Sequence, residues 1–542
     1  MKIVILGGVA AGTKIAAKLM RENRNYEVFI LNKGAEISYA GCGLPYYVGH
    51  VIEEKSSLIV HTPEKYTALT GAHVLTGVEA TKVDRARKEV TAVHLDTQET
   101  AVYPYDKLVI ATGASPIQPP IEGVNLKNVF FMRTPEDAIS LRNLITIGDI
   151  KRAVVVGAGY IGLEIAENLA KSGVKPVVLD MAPHVLPGFD EEFATYIEGK
   201  LADAGIPVVT GVRVTGLEGD DGKVRKVLTD RKAYKADLVV LSAGIRPNTA
   251  FLNDTGLEMV KGTLLTNEAG QTNDPDIYAA GDCAMVRSAI TGKPAWSPMG
   301  STANINGRII AQNIAGKELR YRGSLGTAVC QLPGLNVGRT GLTEAQARGE
   351  GFDPISVVTI VDDKAHYMPG ASTFAIKLIA DRGTQRFLGV QVAGPGAVDK
   401  IVDITVTAIQ CGATLDQMDG ADFAYAPPFS TAIHPFAHTL NILKNKLNGA
   451  FETFTPAEFA QGLAKDYRIV DASLKPSIEG APYVDLTTVT GPMEGFGLEE
   501  KILLICNKGK RAYLLQNRLK AFGYQHVKVL EGGNLFTDVT LE

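Results

Sequence analysis

Residues 152–164 read RAVVVGAGYIGLE, and this stretch decides the fold. An apolar, strand-like run ends in a turn with glycine at three positions, Gly157, Gly159 and Gly162, and a helical pattern follows. In such a unit a pyrophosphate lies against the helix N-terminus, because glycine lets the backbone come close to it. The stretch therefore predicts a dinucleotide-binding βαβ unit.

The next strand of this unit, Val177 to Asp180, ends in a carboxylate 23 residues after Gly157. At that spacing a carboxylate meets the ribose 2′-hydroxyl of the nucleotide. A carboxylate there would repel a 2′-phosphate, so the sequence favours NADH over NADPH. Glu164, on the helix after the turn, is included in the predicted cofactor site.

A second copy of the unit opens the chain. Its parts are a strand-like run, three glycines and a helical pattern: Ile3 to Leu6, then Gly7, Gly8 and Gly12, then Thr13 to Arg24. Val9 replaces the usual middle glycine, and Asn32 ends the second strand where a ribose-binding carboxylate is expected. A glycine turn that only packs therefore stays open as an alternative for this copy. Two nucleotide sites in one chain suggest a relay between two cofactors.

A third segment, TNDPDIYAAGDCA at 272–284, places Asp282 after a short apolar strand, and YPYDKLVIATG stands upstream at 103–113. In this order the motifs resemble the flavoprotein disulfide reductases with two dinucleotide-binding domains, over residues 1 to about 446. The resemblance implies FAD on the first turn, NAD(P)H on the second, and Asp282 on the ribityl chain of the flavin. The further cofactor-binding residues that it implies are Lys33, Ala111, Thr112, Gly113 and Gly281.

Cys42 lies in SYAGCGLPYYVG, residues 38–49, with no CxxC or CxxxxC partner. This is similar to the single-cysteine branch of the family, which comprises coenzyme A disulfide reductases, NADH oxidases and NADH peroxidases. A single thiolate must form a mixed disulfide, a persulfide or a sulfenic acid, which reduced flavin or NADH then reduces. A buried, inert thiol is the alternative, but glycine on both sides and the flavin context favour a redox role.

Two features separate the activities of this branch. Its oxidases and peroxidases carry a histidine in the first glycine turn, whereas residues 9–11 read Val-Ala-Ala here. Tyr367 and Tyr425 match positions at which coenzyme A disulfide reductases place tyrosines that reach the cysteine across the dimer interface. Phenol hydroxyls there can protonate a leaving thiolate. Core tyrosines are the alternative, weighed equally for Tyr367, and His434 and His438 are expected to be structural.

Recognition of coenzyme A has partial support. In the family an arginine, a serine, an asparagine and a downstream basic residue help to hold this substrate. Arg21 and Ser38 match, and Gly43 is included in the predicted substrate site, but Gly41 replaces the asparagine and the basic residue is missing. The sequence therefore predicts a sulfur substrate and leaves open whether coenzyme A carries it.

Beyond about residue 446 a further domain is expected, with Thr455 capping its first helix. Its predicted elements are strands at Arg468 to Asp471, Pro482 to Leu486, Lys501 to Ile505 and His526 to Leu530, with a helix that ends at Phe522. The pattern resembles a rhodanese-like domain, in which Cys506 opens a loop of inward-facing amides and Arg511 follows five positions on. Its basic loop, CNKGKRA, would stabilise a sulfane-sulfur anion and lower the thiol pKa. A rhodanese fold that has lost catalysis is the alternative.

Composition limits the function classes. A net charge of -4, from 55 basic and 59 acidic residues, argues against a general nucleic-acid binder. No apolar run approaches the length of a membrane span, and no signal peptide is expected. Five dispersed cysteines, an odd number, argue against a disulfide framework, and no metal site is predicted. We expect a cytoplasmic protein with no nucleic-acid or membrane partner.

The 542 residues are too many for one core. The predicted fold is α/β, with two Rossmann-like domains, an α+β dimerisation domain and a C-terminal α/β rhodanese-like domain. The predicted boundaries are 1–111 with 246–322 for FAD, 112–245 for NAD(P)H, 323–446 for dimerisation, 447–455 for a linker and 456–542 for the rhodanese-like domain.

The predicted function is reduction of coenzyme A disulfide, coenzyme A persulfide or polysulfide by NAD(P)H and FAD through Cys42. A homodimer is expected, with the active site shared across the interface. Cys506 would handle sulfane sulfur. The alternatives are an NADH oxidase or peroxidase that uses a Cys42 sulfenic acid, and a sulfur carrier or sensor with a vestigial reductase.

Overall fold

The computed structural model describes residues 1–541. The chain forms two compact units, one made of residues 1–183 with 206–324, the other of residues 184–205 with the chain from 325 onward. Each unit combines helices with sheets, so the predicted α/β class is confirmed. No helix within residues 1–541 is long and apolar enough to cross a membrane.

The first unit contains two five-stranded parallel sheets, each built around one glycine turn. In sheet order the strands are Ile277–Ala279, Lys107–Ile110, Lys2–Leu6, Glu27–Asn32 and His73–Thr76 in one, and Val208–Val209, Lys175–Leu179, Arg152–Val156, Leu238–Leu241 and Val129–Phe130 in the other. The central strands are apolar and buried, as expected where helices cover both faces of a parallel sheet.

The helices of this unit are Ala10–Glu22, Leu44–Val48, Pro63–Thr70, Pro135–Ile147, Tyr160–Lys171 and Gly300–Ile314. Two antiparallel three-stranded sheets flank the parallel ones, at Val78–Asp84, Glu89–His94 and Thr100–Pro104, and at Val214–Asp220, Lys223–Thr229 and Ala233–Lys235. Short two-stranded pairs complete it, at Ala114–Pro116 with Ile245–Pro247, Met259–Val260 with Thr263–Leu264, and Met285–Arg287 with Pro294–Trp296.

The second unit is centred on a five-stranded antiparallel sheet. Its order is Ala328–Leu332, Leu335–Gly341, Phe387–Gly394, Thr373–Asp381 and Pro354–Asp362. The helices grouped with it are Glu191–Asp203, Glu344–Gly349, Val398–Gln410, Leu415–Met418 and Pro435–Leu447. Glu191–Asp203 belongs to this unit although the residues on both sides of 184–205 belong to the first.

The chain ends in a four-stranded parallel sheet of the second unit. Its order is Thr453–Phe454, Val527–Leu530, Ile502–Ile505 and Arg468–Asp471, with helices Pro456–Ala460 and Lys510–Ala521. The predicted cap is confirmed, because Thr455 Oγ1 accepts a hydrogen bond from the Glu458 amide at 3.1 Å. Thr453–Phe454, within the predicted linker, pairs in parallel with Val529 and Leu530.

The predicted strand from Pro482 to Leu486 is wrong. Only an isolated bridge between Tyr483 and Asp471 forms there, and a 3-10 turn follows at Leu486–Thr488. Pro482 has no amide hydrogen to donate to a neighbouring strand. Asp485 then accepts a hydrogen bond from the Thr487 amide and starts the turn, so the extended stretch ends after three residues.

A buried ion cluster joins helix Glu191–Asp203 to the antiparallel sheet. The ammonium of Lys377, 3% exposed, lies 3.0 Å from Asp190, 2.5 Å from Glu192 and 3.0 Å from Glu344. Burial raises the pKa of Glu344, but Lys377 and Ser356 outweigh it and lower that pKa to about 2. The cluster lines a polar cavity of about 670 Å³.

Candidate functional site

The two glycine turns have the same backbone geometry. Gly7 and Gly157 open them with φ of +106° and +114°, a left-handed conformation that glycine adopts without strain. Each donates its amide hydrogen to the carbonyl of the strand beside it, Gly7 to Leu31 and Gly157 to Leu179, both at 2.8 Å. The backbone therefore turns away from the end of its strand in the same way at both sites.

The last glycine of each turn is required by close packing. A Cβ on Gly12 would lie 1.8 Å from the Gly7 oxygen, and one on Gly162 would lie 1.9 Å from the Gly157 oxygen. A Cβ on Gly159 would meet no protein atom within 4 Å. The second turn thus presents bare backbone to open space at a helix N-terminus, which fits a pyrophosphate.

The residues that end the second strands hold the turns in equivalent ways. Asn32 Oδ1 accepts a hydrogen bond from the Gly8 amide at 2.9 Å, and Asp180 Oδ2 accepts one from the Ala158 amide at 2.6 Å. Asn32 departs from the acidic pattern in charge but makes the same contact. The amide oxygen of Asn32 can replace a carboxylate oxygen at this position, because the partner is a backbone N–H group that needs only an acceptor. This equivalence supports a nucleotide turn over one that only packs.

Asp282 lies beyond strand Ile277–Ala279 and pairs with Arg133, whose Nη2 is 2.8 Å from its Oδ2. Arg133 could not be predicted from the sequence, because it is 149 residues away from Asp282 and belongs to no motif. Gly281 has φ of +78°.

The other predicted cofactor residues flank the first parallel sheet. The Ala111 amide donates to the Leu6 oxygen at 2.8 Å, Thr112 Oγ1 donates to the Asn248 oxygen at 2.8 Å, and Gly113 has φ of +65°. Lys33, at the end of the second strand, is exposed and pairs with Glu79 at 2.8 Å.

Cys42 occupies the 3-10 turn Gly41–Gly43, directly before helix Leu44–Val48, which we call the thiol helix. The residue is exposed. The protein around the sulfur still removes enough water to raise the pKa of the Cys42 thiol. Glu164 and Asp282 raise it further, and Arg133 opposes them.

Two of the predicted substrate residues, Ser38 and Gly43, belong to the segment that carries Cys42. Ser38 has a positive φ of +48°, and its amide donates to the Gly8 oxygen at 2.9 Å, which ties the cysteine segment to the first glycine turn. A Cβ on Gly43 would lie 3.1 Å from Ile52, whereas one on Gly41 would meet only the Tyr39 ring, at 3.9 Å. Arg21 is exposed on the last turn of helix Ala10–Glu22.

Tyr367 and Tyr425 come together in the second unit. Both are exposed, at 64% and 50%, and a hydrogen bond with Tyr425 raises the pKa of Tyr367. His434 Nδ1 accepts a hydrogen bond from the Phe436 amide and caps helix Pro435–Leu447, as expected for a structural histidine.

Cys506 follows strand Ile502–Ile505 and is 2% exposed. Its sulfur accepts a hydrogen bond from the Ala512 amide at 3.4 Å. Two basic side chains of its loop bind acids outside the loop: Arg511 pairs with Asp485 at 2.9 Å and Lys508 with Asp362 at 2.6 Å. The Cys506 sulfur therefore has a backbone amide as its hydrogen-bond donor, whereas the sequence predicted that basic side chains would stabilise it as well.

Residues 1–302 match the family described as pyridine nucleotide-disulphide oxidoreductase, and residues 328–437 match its dimerisation domain. The chain belongs to this family. The predicted cofactors, FAD and NAD(P)H, and the predicted FAD-dependent NAD(P)H oxidoreductase activity are thereby confirmed.

Among similar proteins, an NAD(P)H coenzyme A polysulfide/persulfide reductase of Pyrococcus horikoshii is 35% identical over 82% of this chain and 98% of its own length. An NADH oxidase of Methanocaldococcus jannaschii is 34% identical over 81% and 97%. The structure of an NAD-dependent persulfide reductase from A. fulgidus is 34% identical, covers 99% of this chain and 100% of its own, and has a TM-score of 0.94. That likeness extends over the C-terminal sheet.

Proposed function

We propose that the enzyme reduces coenzyme A disulfide, coenzyme A persulfide or polysulfide with NADH through Cys42. The observation that carries this is the tie between the cysteine segment and the first glycine turn, made by the Ser38 amide on the Gly8 oxygen. It holds an exposed, glycine-flanked thiol beside the proposed flavin site. The similarity to persulfide reductases from two organisms supports the sulfur substrate.

The first glycine turn, with Asn32 and Asp282, would hold FAD, and the second, with Asp180, would hold NADH. The Asp180 carboxylate accepts from the amides of Ala158 and Ala182, at 2.6 and 2.8 Å. These bonds fix a negative charge at the strand end, which disfavours the 2′-phosphate of NADPH. When bound, FAD supplies the path by which the electron pair of NADH reaches the sulfur at Cys42.

The thiolate of Cys42 attacks one sulfur of the substrate disulfide, a mixed disulfide forms, and the other sulfur leaves as a thiolate. In the proposed homodimer, Tyr367 and Tyr425 of one subunit give a proton to the leaving sulfur at the cysteine of the other. Their mutual hydrogen bond supports a shared role, because it places two phenols at one exposed position.

The C-terminal sheet would form the rhodanese-like domain, with Cys506 as the sulfur carrier. The Cys506 thiolate would attack the outer sulfur of a persulfide, take that sulfur, and release the donor as a thiolate. The Ala512 amide on the Cys506 sulfur and the left-handed Gly509, with φ of +83°, support an anion-binding loop at the start of helix Lys510–Ala521.

Replacement of single cysteines tests the proposal. Cys42→Ser should abolish the NADH oxidation that coenzyme A disulfide or polysulfide drives, while the yellow flavin stays bound. Cys411→Ser is the matched control, because Cys411 is also exposed but ends a helix of the second unit. Turnover by Cys42→Ser at the rate of the Cys411→Ser control would refute the role of Cys42.

The second candidate is an NADH oxidase or peroxidase, which the similarity to the M. jannaschii NADH oxidase favours. The first turn argues against it, since residues 9–11 offer no proton donor for peroxide. A comparison of steady-state turnover with oxygen, peroxide, coenzyme A disulfide and polysulfide separates the two. Faster turnover with oxygen or peroxide than with every sulfur substrate would favour the oxidase or peroxidase.

A further inference from the structure

The strand Pro354–Asp362 lies at the edge of the five-stranded antiparallel sheet. An edge strand has a row of backbone groups that no neighbouring strand pairs. Here the oxygen of Ser356 accepts a hydrogen bond from the Lys446 ammonium at 2.8 Å, and the amide of Val358 donates to Glu531 Oε2 at 2.8 Å. Lys446 and Glu531 also pair with each other at 2.6 Å. An ion pair therefore takes the place of a further strand at this edge.

Glu531 comes from the C-terminal sheet, where it directly follows strand Val527–Leu530. Its side chain is fully buried, and both of its oxygens accept hydrogen bonds. Oε1 accepts from Lys446 and from Thr453 Oγ1, both at 2.6 Å, and Oε2 accepts from the amide of Val358. Burial of a carboxylate is costly unless the group is paired and hydrogen-bonded. The charge of Glu531 is therefore stabilised only while the C-terminal sheet stays against the edge strand.

The segment after Glu531 leads to the loop of residues 506–511, which we call the Cys506 loop. Its first two residues are glycines with left-handed φ of +72° and +61°. A Cβ on Gly533 would lie 1.9 Å from the Cys506 oxygen, so only glycine lets the chain come this close. The Asn534 amide donates to the same oxygen at 3.2 Å. The backbone of Cys506 is thus held by a segment that begins at the edge strand.

A second ion pair ties the Cys506 loop to the same strand. Lys508 Nζ lies 2.6 Å from Asp362 Oδ1, and the two side chains are 40% and 37% exposed. A pair this open to water contributes less than a buried one. Glu531 is therefore the stronger of the two ties.

We infer that Glu531, paired with Lys446, is a positioning residue for Cys506, which fixes the Cys506 loop on the edge strand of the antiparallel sheet. The inference rests on the proposed role of Cys506 as the sulfur carrier. The Cys506 sulfur accepts from the Ala512 amide, and such a donor stabilises a sulfur anion best when its backbone is already held in place. The edge strand supplies part of that rigidity, so the reactivity of Cys506 depends on a contact outside the C-terminal sheet.

Alkylation of the flavin-loaded enzyme measures whether the loop is held. Iodoacetamide is applied at mildly alkaline pH, where access limits the rate, and modification of the Cys506 peptide is followed by mass spectrometry. Glu531→Gln keeps the size of the side chain but removes its charge and one acceptor oxygen. Because hydrogen bonds to a charged group are the stronger ones, modification of Cys506, which is 2% exposed, should become about tenfold faster or more.

Two controls exclude a general loss of stability. Cys330 is 4% exposed on strand Ala328–Leu332, at the opposite edge of the antiparallel sheet, and should keep its wild-type rate of modification in the same samples. Glu500→Gln is the matched variant, because Glu500 pairs with Arg468 at 3.1 Å and both belong to the C-terminal part of the chain. Its rate at Cys506 should equal that of the wild type.

Lys446→Met tests whether the two residues act as a pair. This variant alone should also speed the modification of Cys506, because it leaves the buried carboxylate without its cation. The double variant Glu531→Gln/Lys446→Met should be no faster than the faster single variant, since the same ion pair is lost in each. Flavin absorbance verifies folding, and Lys446→Met carries the test if Glu531→Gln does not fold.

Sulfur loading distinguishes positioning from mere cover. The probe is glutathione persulfide: the Cys506 thiolate attacks its outer sulfur, a Cys506 persulfide forms, and glutathione leaves as a thiolate. Loading is followed as the mass of one added sulfur on the Cys506 peptide. In Glu531→Gln it should be about tenfold slower or more, although alkylation is faster, because the thiol is more accessible while its amide donor is no longer held.

A wild-type alkylation rate at Cys506 in Glu531→Gln, an equal rise at Cys330 or an equal rise in Glu500→Gln would overturn the inference. Unchanged sulfur loading in Glu531→Gln, or single-variant effects that multiply in the double variant, would overturn it as well. Failure of the proposed function looks different. A wild-type enzyme that takes no sulfur at Cys506 would remove the carrier role and leave the difference in alkylation unchanged.

Discussion

Gly162→Ala and Gly159→Ala should separate the stability of the second nucleotide turn from its ability to bind NADH. The new Cβ at 162 would lie 1.9 Å from the Gly157 oxygen and 2.8 Å from Ser242 Oγ. A carbon and an oxygen normally approach to about 3.4 Å, so roughly 1.5 Å of overlap must be relieved. The Gly157 oxygen belongs to the backbone, so the turn itself must move.

Overpacking of this kind costs about 1 to 3 kcal/mol. Alanine is favoured over glycine inside a helix by at most about 1 kcal/mol, which offsets only part of the cost. Gly162→Ala should therefore lower the free energy of unfolding, with a thermal midpoint that falls by about 1 to 2 °C for each kcal/mol lost in a chain of this size.

Gly159→Ala is the matched control. Gly159 has a φ of -80°, which alanine adopts freely, and its Cβ would meet no protein atom within 4 Å. Stability should stay the same or rise by about 0.4 to 1 kcal/mol, because the unfolded chain loses freedom. The methyl group would instead occupy the proposed place of the pyrophosphate, so the KM for NADH should rise about tenfold or more, equivalent to about 1.4 kcal/mol.

Thermal unfolding followed by flavin fluorescence and steady-state kinetics with varied NADH give the two readouts. A thermal midpoint of Gly162→Ala equal to that of the wild type would refute the role of close packing at Gly162, and an unchanged KM for NADH in Gly159→Ala would refute the place of the pyrophosphate. A loss of stability in Gly159→Ala would show that the space beside it is filled by protein.

Two other substitutions give clear expectations. Lys377→Met would leave the carboxylates of Asp190, Glu192 and Glu344 without their shared cation, and should destabilise the enzyme by about 3 to 5 kcal/mol. In the wild type the lowered pKa of Glu344 stabilises the fold at pH values above the ordinary pKa of a glutamate, and this stabilisation is lost as the pH falls towards 2. The variant should instead gain stability on mild acidification, because protonation relieves the repulsion among its carboxylates. Thermal midpoints measured against pH show the sign, and a parallel loss of stability in both proteins would contradict the expectation. Gly41→Asn fits beside Tyr39 and should lower the KM for coenzyme A disulfide relative to that for a small disulfide, whereas an unchanged ratio would count against a coenzyme A site at this residue.

Local patterns in the sequence predicted the elements that depend on neighbours along the chain. The strands before Gly7 and Gly157, the helices after them and the Thr455 cap lie where periodicity and spacing placed them. The strand expected from Pro482 failed because an apolar composition cannot report which backbone groups find a partner.

The candidate site was predictable where a motif carries its chemistry. Cys42, the glycine turns and Asp180 were found in this way, and the hydrogen bond between Tyr367 and Tyr425 joins two residues that resemblance had named separately. Arg133 was missed because its ion pair joins segments far apart in the sequence. No local sequence pattern predicts such an ion pair.

The sequence by itself determined that the chain has two glycine turns of one design and a lone cysteine about thirty residues after the first. Those features need only local backbone geometry, since glycine is required wherever a Cβ would strike a carbonyl. Only the tertiary structure decided that Asn32 accepts a hydrogen bond from its glycine turn as an acid would, that the Tyr46 hydroxyl donates to Glu164, and that Lys377 pairs with three carboxylates. These contacts depend on how sheets and helices from distant segments pack, and packing sets the charges that surround the thiol.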